Sequence, residues 1–232
     1  IQKVTKAMKM VAAAKMRRAQ ENMEQARPYT TKLSNMLNSL IPEIDRSILP
    51  ELESHAEINH KLFVVVTSDR GMAGAFNSNV IKLAQKEINK FGKDKSALIC
   101  IGKKSMSYFK IRNYNIIGEF IDFWSELGFQ HAVVMGKQII SYYISGKVDE
   151  VQVIYNEFIS VGKQEVKIEK FLPLIYSNKD ESSSIRSDRI FEPSKENVVK
   201  AMVPKYLNTQ IWQYLLESFA SEQAARMLAM EN

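Results

Sequence analysis

The sequence predicts an α/β fold, a mostly parallel sheet body with long helices at the two ends of the chain. Three observations carry this reading. Residues 1–41 hold no glycine and an apolar seam at helical spacing. Residues 61–176 alternate short apolar runs with amphipathic stretches. Past Pro193 helical character returns and continues to the last residue.

The seam of the first helix runs Ile1, Val4, Met8, Ala12, Met16, Ala19, Met23, Ala26, Thr30, Leu33, Leu37, Leu40. Its steps of three and four average about 3.5 residues, the period of a left-handed coiled coil. Such a helix is roughly 60 Å long at about 1.5 Å per residue. Pro28 is a point of possible bending, and Pro42 lies past its end. A mixed linker follows at 44–60. Strands are expected at 61–67, 97–101 and 115–121, with helices at 77–91, 103–111 and 129–145. Two further strands, 150–159 and 165–176, are joined by a turn short enough for direct pairing, and Pro173 puts the second at an edge. The polar, serine-rich stretch 179–193 reads as a mobile loop. Lys195–Met202 forms a first helical piece, and Pro204 is expected to start the main C-terminal helix, since proline is tolerated in a first turn. Leu207, Ile211, Trp212, Leu215, Leu216 and Phe219 cover much of that helix's circumference, so it should touch several neighbours. Ala220, Ala224 and Ala225 add a small-residue surface suited to close approach.

The expected organisation is therefore 1–58 N-terminal helix and linker, 59–178 sheet body, 179–193 loop, and 194–232 C-terminal helix. Both ends stop inside helical patterning, which leads us to expect that the native protein continues beyond them.

The chain has 232 residues and a net charge of +6. Lys3, Lys6, Lys9, Lys15, Arg17 and Arg18 supply that whole charge with no acid among them, leaving 26 of the 32 basic residues to balance 26 acidic ones. The positive charge is thus a local property of the first helix. Lys3, Lys6 and Arg17 lie roughly opposite the seam, while Lys9 and Arg18 flank it. A solvated face, a nucleic-acid surface and a surface for an acidic protein partner all fit these positions. A transit peptide does not, because the seam continues to Leu40. The absence of aromatic residues before Tyr29 weakens the nucleic-acid reading.

No apolar run is long enough to span a bilayer. The single Cys100 sits in a hydrophobic strand, where thiols are ordinarily inert. His55, His60 and His131 have no spacing that suggests a metal site or a catalytic triad. The loop Ser68-Asp69-Arg70-Gly71-Met72-Ala73-Gly74-Ala75-Phe76-Asn77 stands between a strand and a helix, where a phosphate loop would lie, but it lacks both the P-loop ending and the dinucleotide glycine spacing. Its expected role is structural, with Gly71 and Gly74 supplying tight backbone geometry and Asp69 and Arg70 pairing with or capping neighbouring turns. Near the end, Glu222 and Arg226 have the favourable i, i+4 order for an intrahelical pair. No catalytic residue, cofactor or metal is expected.

Three segments together resemble the γ subunits of F-type ATP synthases. These are Gln2-Lys3-Val4-Thr5-Lys6-Ala7-Met8-Lys9-Met10-Val11-Ala12-Ala13-Ala14-Lys15-Met16, the Ser68–Asn77 loop, and Ser221-Glu222-Gln223-Ala224-Ala225-Arg226-Met227-Leu228-Ala229-Met230. The resemblance implies terminal helices in an antiparallel coiled coil beside a Rossmann-like domain. It implies a non-catalytic central rotor shaft that couples rotation of a membrane c-ring to conformational change at catalytic β subunits. The implied partners are the α and β subunits of the α₃β₃ hexamer, ε (δ in mitochondria) and the c-ring, with no nucleic acid and no direct insertion in the bilayer. The implied location is peripheral, on the cytoplasmic face of a bacterial plasma membrane or the matrix face of the mitochondrial inner membrane. By the resemblance, Lys3, Lys6, Met8, Lys9 and Arg17 face an acidic segment of β, and Glu222, Gln223 and Arg226 meet β loops through exposed, exchangeable pairs. Ala73 stands where many relatives carry cysteine, and the redox-regulated insert of plastid members is absent. The alternative reading is a nucleic-acid- or anion-binding α/β protein that uses its basic helix; a nucleotide-binding enzyme built on the 69–77 loop is a third.

Overall fold

The computed structural model describes residues 2–174 and 194–231. Helix α1 spans Gln2–Leu40, and three short 3₁₀ turns lead from it to the sheet. Strand β1 (Lys61–Val66) is followed by α2 (Phe76–Phe91), β2 (Ser96–Ile101), α3 (Lys103–Ile111), β3 (Ile116–Phe120), α4 (Phe129–Ile144), β4 (Glu150–Ser160), β5 (Lys163–Leu172) and α5 (Lys195–Ala229). The sheet order is β3-β2-β1-β4-β5, with every neighbouring pair parallel except β4 and β5.

The strand pattern explains why both faces are covered. Leu62, Val64 and Val66 alternate with Phe63 and Val65 along β1, and Ile99 and Ile101 alternate with Leu98 and Cys100 along β2. The second set meets Val80, Ala84 and Ile88 of α2 and Phe109 of α3. The first set meets Met135 and Ile139 of α4, the 199–215 stretch of α5, and Leu33, Leu37 and Leu40 at the end of α1. Two-sided burial of this kind suits parallel strands read as near-continuous apolar runs. The chain winds outward from β1 through β2 to β3 with its helices on one face, then returns to β4 with α4 on the other. β1 is consequently the strand at which the winding reverses.

Helices α1 and α5 run antiparallel. Lys9 pairs with Glu231 at 2.7 Å, and Lys195 pairs with Glu43 at the opposite end of the two helices. Between these, Lys15 lies close enough to Glu222, and Ser34 close enough to Tyr206, to act on their ionisation. Ala12, Met16, Ala19, Leu33, Leu37 and Leu40 of the seam are buried. Val4 is not: it is 63% exposed, because it lies more than a turn beyond Lys9, which is already level with Glu231.

Two expectations need correction. Pro204 does not begin a helix; α5 starts at Lys195, capped by the Ser194 side chain accepting from the Asn197 N–H, and runs through Pro204. Proline in a helix interior costs about 3 kcal/mol. Here Val199 and Val203 on one side of it and Leu207 on the other are fully buried in the same core, which keeps both halves on one axis. The 44–60 linker is also more than a spacer, since Leu49 and Leu52 are buried beneath α4 and the sheet. The loop expected at 179–193 lies outside the described residues.

Candidate functional site

A groove of about 920 Å³ lies between the first turns of α1, the last turns of α5 and the loops at the C-terminal edge of the sheet. In open α/β sheets, ligands bind outside the carboxyl ends of the strands where the winding reverses. In this chain α5 occupies that crevice. Its Arg226 donates to the Gly71 carbonyl, just past β1, at 2.6 Å. Its Ser221 hydroxyl donates to the Asn156 carbonyl of β4 at 3.4 Å.

The floor of the groove is fixed by short side chains. Asp69 Oδ1 accepts the Lys103 N–H, and Oδ2 accepts the Asp122 N–H, each at 2.8 Å. One carboxylate thereby caps the N-terminus of α3 and ties down the loop after β3. The free amides that would hold a phosphate at that helix start are taken. Lys103 Nζ meets Asp122 at 2.6 Å, and that contact raises the lysine's pKa. Thr67 accepts the Ser105 N–H at 2.9 Å, and Gly102 lies so close behind that a Cβ there would come within 2.1 Å of the Thr67 carbonyl oxygen. Asn77 closes the loop on itself, accepting from the Ser68 N–H at 2.9 Å and donating to the Arg70 carbonyl. Arg70 itself is exposed and forms no ion pair among the described residues.

The two loop glycines differ. Gly74 has φ +53°, the left-handed conformation that favours glycine. Gly71 has no positive φ, and a Cβ there would meet only the end of the Lys104 side chain at ordinary contact distance; the strained position is its neighbour Met72, at φ 59° and 66% exposed. The expectation that Gly71 supplies tight geometry is therefore corrected: its contribution is the carbonyl that Arg226 grips.

Glu222 and Arg226 pair as their spacing predicts, but the pair is buried rather than exposed. Burial pushes the Glu222 carboxyl up, and Arg226 and Lys15 work against that rise. Gln223 is buried beside them and lines the groove. Arg226, braced by Glu222, holds α5 in the crevice, and none of the three is a freely exchangeable surface. Lys3, Lys6 and Arg17 are exposed, Met8 is half-buried in the groove wall, and Lys9 is engaged with Glu231. Sequence reasoning missed the aromatic end of the groove, where Trp124 stacks between Phe123 and Phe219 with its buried indole N–H lacking a partner among the described residues. An adjacent aromatic pair after a strand was the available signal. Cys100 is fully buried, and burial pushes its thiol up to about 12, so it is unreactive. Among the described residues no group of three acidic, histidine or cysteine side chains could hold a metal.

A family model described as ATP synthase matches residues 1–232. The ATP synthase gamma chain of Chloroherpeton thalassium is 44% identical over 245 residues, spanning all of this chain and 81% of the relative. That of Prosthecochloris aestuarii is 46% identical over 238 residues, spanning all of this chain and 80% of the relative. The central stalk and c-ring structure of the Tetrahymena thermophila mitochondrial ATP synthase superposes with a TM-score of 0.77 at 26% identity, covering 99% of this chain and 98% of the other. Nothing among these similarities favours the nucleic-acid- or anion-binding reading.

Proposed function

The chain belongs to the ATP synthase γ-chain family, the central-stalk rotor subunits of that complex, and we propose that its exposed basic helix face is the surface through which rotor position is communicated to the catalytic subunits. The observation that carries this reading is the division of α1 into two sides. One side is buried against α5. The other bears Lys3, Lys6 and Arg17 in solvent, while the chain beyond residue 18 is charge-neutral. A cationic stripe of this kind suits an acidic partner. Exposed lysines make contacts worth about 0–1 kcal/mol each, weak enough to be exchanged as a shaft turns. Coupling then consists of contacts that differ between alternative states of the partner.

Lys3, Lys6, Arg17 and Met8 are the proposed β-subunit contacts. Lys9 contributes secondarily, since a partner must compete with Glu231 for it. Glu222, Gln223 and Arg226 act indirectly, by fixing the loop at Gly71 and hence the groove against which the partner rests. The wider partner set is α and β of the hexamer, ε or its mitochondrial counterpart δ, and the c-ring. The complex holds this subunit peripherally at an energy-transducing membrane; no helix among the described residues is long and apolar enough to cross one.

The test is reconstitution of the full-length chain with α and β subunits. Replacing Lys3 and Lys6 together by alanine is expected to lower coupled ATPase activity or torque while assembly of the shaft helices persists. Unchanged coupling in the double variant would remove the basic face from the mechanism.

A further inference from the structure

The joint between α5 and the β4–β5 hairpin is built around carboxylates. Tyr155 of β4 donates to Glu169 Oε1 at 2.9 Å, and Tyr214 of α5 donates to Glu169 Oε2 at 3.0 Å, with the two rings 4.6 Å apart. Both oxygens of Glu169 are thus used by phenols. Three residues beyond Tyr214, Glu217 is 9% exposed. Its Oε1 accepts from Gln213 at 2.9 Å, and its Oε2 is buried with no partner among the described residues. Lys167 is committed to Glu157 at 2.7 Å.

An ionised carboxylate in such a place is costly, because burial removes its water and no cation among the described residues replaces it. Burial is the largest cause raising the Glu217 carboxyl, and Glu157 and Glu169 push the same way; Gln213 and the Phe158 amide oppose them. Phenols facing it resist ionisation too, with Tyr155 and Tyr214 both raised, first by burial and then by Glu169. The facing groups are therefore Tyr155 and Glu157 from β4, Lys167 and Glu169 from β5, and Gln213 and Tyr214 from α5. From α1, Arg18 and Glu21 stand at this level but are exposed.

We propose that Glu217 is carried as its neutral acid and that loss of its proton loosens the joint between α5 and the β4–β5 hairpin, making the attachment of shaft to body sensitive to pH. A raised carboxyl stabilises the folded joint at low pH, and that contribution is lost as pH rises through the folded-state value. The latch therefore weakens on the alkaline side. It requires no subunit contact and stands independently of the basic-face reading above.

Hydrogen–deuterium exchange of the full chain, followed in steps from about pH 4.5, the ordinary carboxyl value, up to about pH 9 after correction for intrinsic exchange, reads the joint directly. Protection of β4, β5 and residues 211–219 is expected to fall by roughly tenfold or more across that range in the native sequence, as expected when an opening equilibrium shifts by about one proton's linkage. Glu217→Gln should hold protection nearly constant. Glu157→Gln, which removes one repelling charge, should shift the transition to lower pH. A flat profile in the native chain, or the same pH response in Glu217→Gln, overturns the proposal. So does loss of protection in Glu217→Gln at the acidic end, where a neutral acid and an amide should be equivalent.

Discussion

Helices α1 and α5 lie side by side and antiparallel, yet they are different kinds of object. Outside its last turns α1 buries only Ala12, Met16 and Ala19, and the rest of its circumference is half-buried or in water. Buried side chains of α5 point in every direction, toward α1, α4, the sheet and the loop after β1. Only the last turns of α1, at Leu33, Leu37 and Leu40, join the main core. The difference teaches how a shaft is attached to its body: α5 is the root, and α1 is fastened to the body chiefly through α5 and at its own lower end.

That contrast breaks first at Arg226. Arg226→Ala leaves Glu222 buried without its cation and the Gly71 carbonyl without its donor, and removing one partner of a buried pair costs about 3–5 kcal/mol. Because the Glu222 carboxyl is already raised, the loss should grow as pH rises and the lone carboxylate must ionise, and shrink at acidic pH. Chemical denaturation of the full chain across pH measures both. A pH-independent loss would mean that Arg226 acts through packing alone.

Next comes a direct comparison of the helices. Leu215→Ala on α5, at 0% exposure, should cost about 2–5 kcal/mol, while Met16→Ala on α1, at the rim of a two-helix seam, should fall at or below the lower end of that range. Equal losses in thermal unfolding would make α1 as integral to the body as α5.

A smaller effect separates the two loop glycines. Gly74→Ala places a side chain at φ +53° and should destabilise by about 1 kcal/mol, whereas Gly71→Ala meets only the flexible end of Lys104 at ordinary contact distance and should be nearly neutral. Smallest of all, Lys9→Ala removes a pair in which the partners are 37% and 56% exposed, and should cost at most about 0–1 kcal/mol. A larger loss in denaturant midpoints would show that the upper end of the shaft is more rigidly clasped than its exposure implies.

Much of this architecture was legible because it is local. The seam of α1, the alternation in β1 and β2, and the short hairpin between β4 and β5 are all periodic signals within a few turns or strands of chain. The all-round apolar character of α5 told correctly that it would have several neighbours. Pro204 misled because its local cost is set against burial of Val199, Val203 and Leu207, which only the assembled core reveals. The site was harder to read. Arg226 and Gly71 are 155 residues apart, and the Asp69 carboxylate reaches two amides on different loops. No spacing rule connects such partners. Glu222 and Arg226 were recognisable as a pair, but their burial follows from α5 lying in the crevice of the sheet, a property of topology and not of the i, i+4 pattern.

That crevice has one more consequence. In an open α/β sheet the pocket at the strand ends normally receives a separate molecule and releases it again. Here the guest is a segment of the host, tethered and therefore present at a high effective concentration. An affinity that would give only temporary residence to a free ligand becomes a lasting mechanical weld when it is intramolecular. The place where other open sheets hold a separate molecule is closed here on the chain's own axle.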